Sequence, residues 1–171
     1  MRSIIHSRMV SSDVFKQVMR RWASTVTIVT ARADETIYGL TATAFTPLNA
    51  EPPEVLVCIG KRTRTHPLIE QGGVFCVNFL VPEMRSLSER FAGRRPHEAR
   101  FEGVRFRSEA TGAPVLSDAL AYLDCRVVRA LDAGEHTIFI GRVEAAEVQR
   151  PEDMPLLYFN SHYHTLGERL E

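Results

Sequence analysis

The sequence predicts a mostly-β chain whose antiparallel strands close into a barrel, with a few short peripheral helices. Three observations carry this. Long β-branched runs alternate with period two, polar turns join them at short intervals, and no strand–helix–strand repeat occurs. Closure into a barrel also removes the exposed sheet edges that such strands would otherwise present. A Gly-x-Gly-x-x-Gly motif after the first strand is missing, as is a phosphate-binding Gly-x-x-x-x-Gly-Lys-Ser/Thr, so a doubly wound nucleotide fold is disfavoured.

The elements follow in order. Residues 1–11 read as a tail, and residues 12–171 as one domain. Ser12 or Asp13 can cap a short helix that places Phe15, Val18, Met19 and Trp22 at 3–4 spacing, a face expected to pack on the core at one end of the barrel. The period then drops to two. Residues 24–31 and 37–42 form a hairpin around the polar turn 33–35. Pro47, Pro52 and Pro53 fall within seven residues, so 44–53 is expected to be a loop rather than a regular central strand. Strands are expected at 54–59 and 73–80, with one helical turn at 66–71 between them. A short helix follows at 83–91, and 92–114 is a polar excursion. Two long strands, 121–130 and 136–145, meet at the turn 132–135. The aromatic, histidine-rich stretch 155–164 is too dense in such groups to be a frayed end.

The totals set limits on function. The chain has 171 residues, with 21 Lys and Arg balanced by 21 Asp and Glu. A chain of this length buries roughly 70% of its unfolded surface, so it needs no disulfide or metal to fold. Zero net charge gives no reason to expect nucleic acid or an anionic membrane as partner. Cys58, Cys76 and Cys125 are odd in number, far apart and set in apolar runs, which fits buried thiols rather than disulfides or a zinc site. There is no apolar run of signal-peptide or membrane-span length, so a cytoplasmic protein is expected.

Four features can carry chemistry. In Thr41-Ala42-Thr43-Ala44, small residues and hydroxyls alternate at a strand end, where a planar ligand can approach the backbone. An ordinary Thr-rich strand end reads the same way. Lys61, Arg62, Thr63, Arg64 and Thr65 pack three cations and two hydroxyls after a strand, a composition suited to phosphate, with Thr65 able to cap the following turn. A solvated basic loop is the alternative. His136 opens a strand after a turn and can contact a substrate or relay a proton near neutral pH. His162 and His164 lack a third ligand at sensible spacing, so no metal is expected. Their aromatic neighbours suit packing over a ligand or at a subunit interface. No nucleophile stands beside a base in any Gly-x-Ser-x-Gly setting.

Six segments in order resemble the flavin-reductase-like family with the FMN-binding split barrel. They are WASTVTIVTA, GLTATAFTPLNAEPPEVLVCI, RTRTHPLIEQGGVFCVNFL, LSERFAG, GEHTIFIGRV and PLLYFNSHYHTLG. The nearest likeness is to the short-chain reductase components of two-component monooxygenases. The resemblance implies a Greek-key antiparallel split barrel, a homodimer, FMN or FAD as flavin and NADH or NADPH as electron donor. It also implies a partner monooxygenase that receives the reduced flavin by diffusion.

Carried over by position, Thr41, Ala42, Thr43 and Ala44 would line the flavin. Cys58, Ile59 and Gly60 would pass beside its ring or ribityl chain, and Lys61, Arg62, Thr63 and Thr65 would hold its phosphate. Asn78 and Phe91 would be further pocket residues. His136 would be the catalytic residue on the nicotinamide side, and His162 and Tyr163 would lie near the pocket. Many relatives carry two serines where Thr43 and Ala44 stand, so Ala44 lacks one hydroxyl of the pattern. The chemistry implied is hydride transfer from the nicotinamide to the flavin, with orientation supplied by the protein. The alternative is a non-catalytic FMN-binding or electron-transfer protein on the same barrel.

Overall fold

The computed structural model describes residues 10–94 and 100–168. Most of the expected tail, 1–9, therefore lies outside the described residues. The chain opens with α1 (Ser12–Met19), where the Ser11 hydroxyl accepts a hydrogen bond from Val14 N at 3.3 Å. Strands β1 (Ser24–Thr25), β2 (Thr27–Ala33), β3 (Thr36–Ala42), β4 (Phe45–Ala50) and β5 (Pro53–Gly60) follow. Helix α2 (Thr65–Gly72) leads to β6 (Val74–Phe79), and a single 3₁₀ turn leads to α3 (Arg85–Glu89) and a wide turn, Arg90–Arg94. The remainder is β7 (Phe106–Ser108), β8 (Pro114–Leu116), β9 (Ala121–Ala133), β10 (His136–Val148), β11 (Leu157–Phe159) and β12 (His162–His164).

Seven strands form one sheet in the order β3-β2-β6-β9-β10-β5-β4, and every ladder in it is antiparallel. No ladder among the described residues joins β3 to β4, so no sheet closes into a barrel. This corrects the expected barrel, the split barrel included. The two edge strands are instead consecutive in the chain, linked by Thr43 and Ala44. Pro47 removes a donor from β4, and a register irregularity between Pro47 and Asn49 disturbs its pairing. The stretch expected to be a loop is thus an edge strand, the position in a sheet that tolerates proline.

Among the described residues, two of the three apolar clusters explain the pattern of β2. Val29 and Ala31 of β2 point into the first, with Val57, Ile59, Phe75, Val77 and Phe139, and Ile69 of α2 joins them. Ile28 points into the second, with Leu80, Val81, Met84, Phe91 and Leu116. Strand β2 is buried on both faces, which is why its sequence is almost continuously apolar and Thr-rich. Asn78, fully buried in β6, holds the second layer: its Nδ2 donates to Ile28 O at 3.1 Å and Thr30 Oγ1 at 3.3 Å, and its Oδ1 accepts from Leu116 N at 2.7 Å.

Two further expectations change. Helix α1 buries none of its residues: Phe15 is 59% exposed, Val18 63% and the following Trp22 68%. Its apolar face therefore does not plug the fold. Cys76 and Cys125 are buried free thiols with pKa values raised by burial, whereas Cys58 is only half-buried. No described helix is long and apolar enough to cross a membrane.

Candidate functional site

A groove runs over the Thr41–Thr43 end of β3. Three cavities meet end to end along it. The first, about 310 Å³, lies against Phe15, Trp22, Thr43 and Tyr158. The second, about 170 Å³, lies among Val26, Ala42, Ala92, Tyr158 and Tyr163 and shares Thr43 with the first. The third, about 380 Å³, shares Thr41 and Ala92 with the second and ends on Arg62, Arg64 and Arg100. One end is thus apolar and aromatic, the other cationic.

Local chemistry shapes the walls. The Thr41 hydroxyl donates to Ser88 O at 2.6 Å, and Ser88 Oγ meets the Tyr163 hydroxyl at 3.0 Å. These bonds tie β3, α3 and the β11–β12 hairpin into one wall, and Arg85 stacks on the Tyr163 ring at 5.4 Å. Gly39 lets the Phe91 ring lie on β3, since a Cβ there would stand 2.9 Å from Phe91 Cε1. Below the cationic end, the Thr63 hydroxyl donates to Gly60 O at 2.8 Å and closes a tight turn after β5.

The cations differ in their surroundings. Lys61 Nζ pairs with Asp132, whose carboxyl pKa is lowered by that hydrogen bond, and Arg62 lies 3.5 Å from Glu135. Asp132 stands at the end of β9 and Glu135 in the β9–β10 turn. Arg100 is 5% exposed. Its Nη1 donates to Gly39 O at 2.8 Å, and its guanidinium lies 4.9 Å from the Tyr38 ring centre. Its buried Nε has no partner among the described residues.

Of the residues expected at a site, Thr41, Ala42, Thr43 and Tyr163 line the middle of the groove, and Arg62, Thr63 and Phe91 line its cationic end. Ala44 adjoins the groove through Thr43, and its carbonyl accepts from Cys58 N at 3.0 Å. His136 pairs with Gly60 across the ladder. Its Nε2 and Thr63 Cγ2 each lie 3.6 Å from where a Gly60 Cβ would be, placing the imidazole at the rim of the Thr63 turn. His162 is exposed, with Nδ1 2.8 Å from Asn160 O.

Ile59, Thr65 and Asn78 are not brought to the groove. Ile59 is core, and Asn78 is saturated within the sheet. Thr65 is fully buried, and its hydroxyl has no partner among the described residues. It does not cap α2: the cap position is Arg64, which makes no side-chain cap bond. Sequence reasoning missed Arg100, Ala92 and Val26. Arg100 sits in the polar stretch 92–114, and its only local signal is a cation directly before an aromatic, Phe101.

The arrangement fits a flavin on its own terms. A ring system fits the aromatic, small-residue middle, and an anionic tail fits the cationic end, where a buried donor lacks a partner. Residues 19–167 match the flavin reductase like domain family. The reductase component of an FADH2-dependent resorcinol hydroxylase from Rhizobium sp. is 40% identical over 87% of this chain and 84% of its own. The reductase subunit HsaB of a flavin-dependent monooxygenase from Mycobacterium tuberculosis is 33% identical over 92% and 83%. The solved NADH:FAD oxidoreductase SgcE6 of Streptomyces globisporus, in complex with NAD and FAD fragments, superimposes with a TM-score of 0.84. It is 27% identical, with 96% of this chain and all of that one covered. With most of its length matched in sequence and in fold, the chain belongs to the flavin-reductase-like family.

Proposed function

We propose that the groove over Thr41–Thr43 is the flavin site of this NAD(P)H-dependent flavin reductase, which supplies reduced flavin to a partner monooxygenase. The observation that carries the placement is the polarity of the groove: aromatic and small residues in the middle, cations at one end. When bound, the flavin (FMN or FAD) accepts a hydride from NADH or NADPH, chemistry that needs no protein nucleophile.

The chain's own residues orient and shield. Ala42 and Thr43 offer backbone to the ring's polar edge. Tyr158 and Tyr163 give an aromatic wall, with Tyr163 fixed by Ser88. His136, at the rim by Gly60, orients the nicotinamide. The exposed apolar face of α1 and Trp22 borders the first cavity, and a second copy of the chain covers it in a homodimer. Free thiols at all three cysteines suit the reducing cytoplasm.

The test is a titration of the whole protein with FMN and FAD, followed by NADH and NADPH oxidation. Saturable oxidation with either flavin is expected. His136→Ala is expected to slow flavin reduction by about tenfold or more, the scale of a lost positioning or acid–base contact, and to leave the flavin dissociation constant in place. No oxidation with either flavin would falsify the reductase reading. An unchanged rate in the variant removes His136 from the reaction.

A further inference from the structure

We propose that His66 and Thr137 are positioning residues for the reduction step: their buried hydrogen bond sets where His136 stands against the 61–64 loop. The proposal rests on the reading of His136 as the residue that orients the nicotinamide.

The two groups come from different elements. His66 lies in the first turn of α2, just after the basic loop, and Thr137 is the second residue of β10, next to His136. Side chains alternate across a strand. His136 therefore faces the rim at Gly60, and Thr137 faces inward with Phe139. There His66 Nε2 lies 2.7 Å from Thr137 Oγ1, and the imidazole packs on the Phe139 ring at 5.4 Å between centres. Glu70 Oε2 lies 3.4 Å from His66 Nδ1. That carboxylate favours a proton on Nδ1, so Nε2 accepts from the Thr137 hydroxyl.

Burial gives this bond its weight. His66 is 6% exposed and Thr137 5%. The ion pairs Lys61–Asp132 and Arg62–Glu135 also join the loop to the β9–β10 hairpin, but their side chains are exposed, and such pairs hold geometry weakly. A hydrogen bond between buried groups is directional and shielded from water. Apolar packing is not directional. One end of the bond adjoins the basic loop, and the other shares a peptide bond with His136. Its release therefore lets the imidazole drift relative to the Thr63 turn. A misplacement of about 1 Å at a reacting pair can cost about a hundredfold in rate, so a partial release is expected to cost about fivefold.

The test measures the rate of flavin reduction at saturating flavin and nicotinamide, the flavin affinity and the melting temperature, all on the whole protein. Thr137→Val removes the hydroxyl at nearly constant shape. It is expected to slow reduction by about fivefold and to leave flavin affinity within about twofold. Thr137→Ser keeps the hydroxyl and is expected to keep most of the rate. His66→Phe combined with Thr137→Val replaces both partners by apolar groups, which brings stability back toward wild type. The direction of the bond does not return, so reduction is expected to stay slow. The same double variant carries the comparison where Thr137→Val alone does not fold. In a His136→Ala background, Thr137→Val is expected to add nothing, because the bond acts through His136.

A rate that recovers together with stability in the double variant overturns the proposal, by showing a bond that serves the fold alone. An unchanged rate in Thr137→Val overturns it too, as does a further fivefold loss on top of His136→Ala. The two readings fail differently. An unchanged rate in His136→Ala removes His136 and this proposal with it. A slow His136→Ala beside a Thr137→Val of wild-type rate loses the positioning bond alone.

Discussion

Asn78 and Arg100 are both buried polar side chains that donate to carbonyls of the same β2–β3 hairpin, Ile28 O and Gly39 O. They differ in what is left over. Asn78 also reaches Thr30 and accepts from Leu116 N, so its amide group is used at both ends within the sheet. Among the described residues Arg100 makes one hydrogen bond, and its buried Nε has no partner, while its side chain lines a cavity. A saturated buried group specifies the fold, whereas an unsaturated one beside a cavity is prepared for something that arrives later.

The largest effect that can break this contrast is Asn78→Ala. It strands Leu116 N and removes the side-chain bonds to Ile28 O and Thr30, and is expected to cost about 3 kcal/mol. Chemical denaturation measures the loss. Flavin affinity of the folded fraction should stay near wild type, and a large loss of affinity at unchanged stability would move Asn78 to the site.

Next in size is Asp124, buried and paired with Thr111 N at 2.7 Å and with the Thr111 hydroxyl. Burial raises its carboxyl pKa above the ordinary carboxylate value, outweighing the Thr111 bonds. The native state therefore holds this proton more tightly than the unfolded state does. Its contribution to stability is fully present at low pH, falls as pH rises from about 4 through the raised native value, and is level above that. Asp124→Asn keeps an acceptor and removes the titration. Urea melts across pH 4–7 should lose that slope in the variant, with a difference of about 1 kcal/mol or less at pH 7. An identical slope in both proteins assigns it elsewhere.

The smallest effect concerns the cations that already have partners. Replacing Lys61 and Arg62 together by Gln is expected to weaken FMN binding by less than about threefold, since exposed ion pairs contribute little. Fluorescence titration at low and high salt checks this. A larger loss would give the flavin phosphate to Lys61 and Arg62 despite their acidic partners.

Much of the fold was legible because period two survives wherever one face meets a core, as in Val55, Val57 and Ile59 of β5. Strand β4 was not, because three prolines mask an edge strand whose outer side needs no donors. Closure was not legible either: the same alternation serves a curved open sheet and a barrel, and only the ladder between β3 and β4 decides. The site divides the same way. Thr41, Ala42 and Thr43 announce themselves by small side chains at a strand end. The partners that occupy Lys61 and Arg62 stand about seventy residues away in sequence, and Arg100 reaches Gly39 across sixty-one. Only tertiary structure shows which cations are spoken for. The face of α1 reads as core from its spacing, because spacing reports an apolar face and not what covers it.

The two-residue link at Thr43 and Ala44 has a mechanical consequence. Four consecutive Cα atoms span at most about 11 Å, so the edge strands at Ala42 and Phe45 are leashed to each other by covalent bonds. The floor of the groove lies on that leash and has a fixed gauge. Room for a bulkier ligand must come from the opposite bank, the Ser88–Ala92 segment and the β11–β12 hairpin. Lengthening the link by one or two residues is accordingly a direct handle for widening the cleft while every ladder in the sheet stays in register.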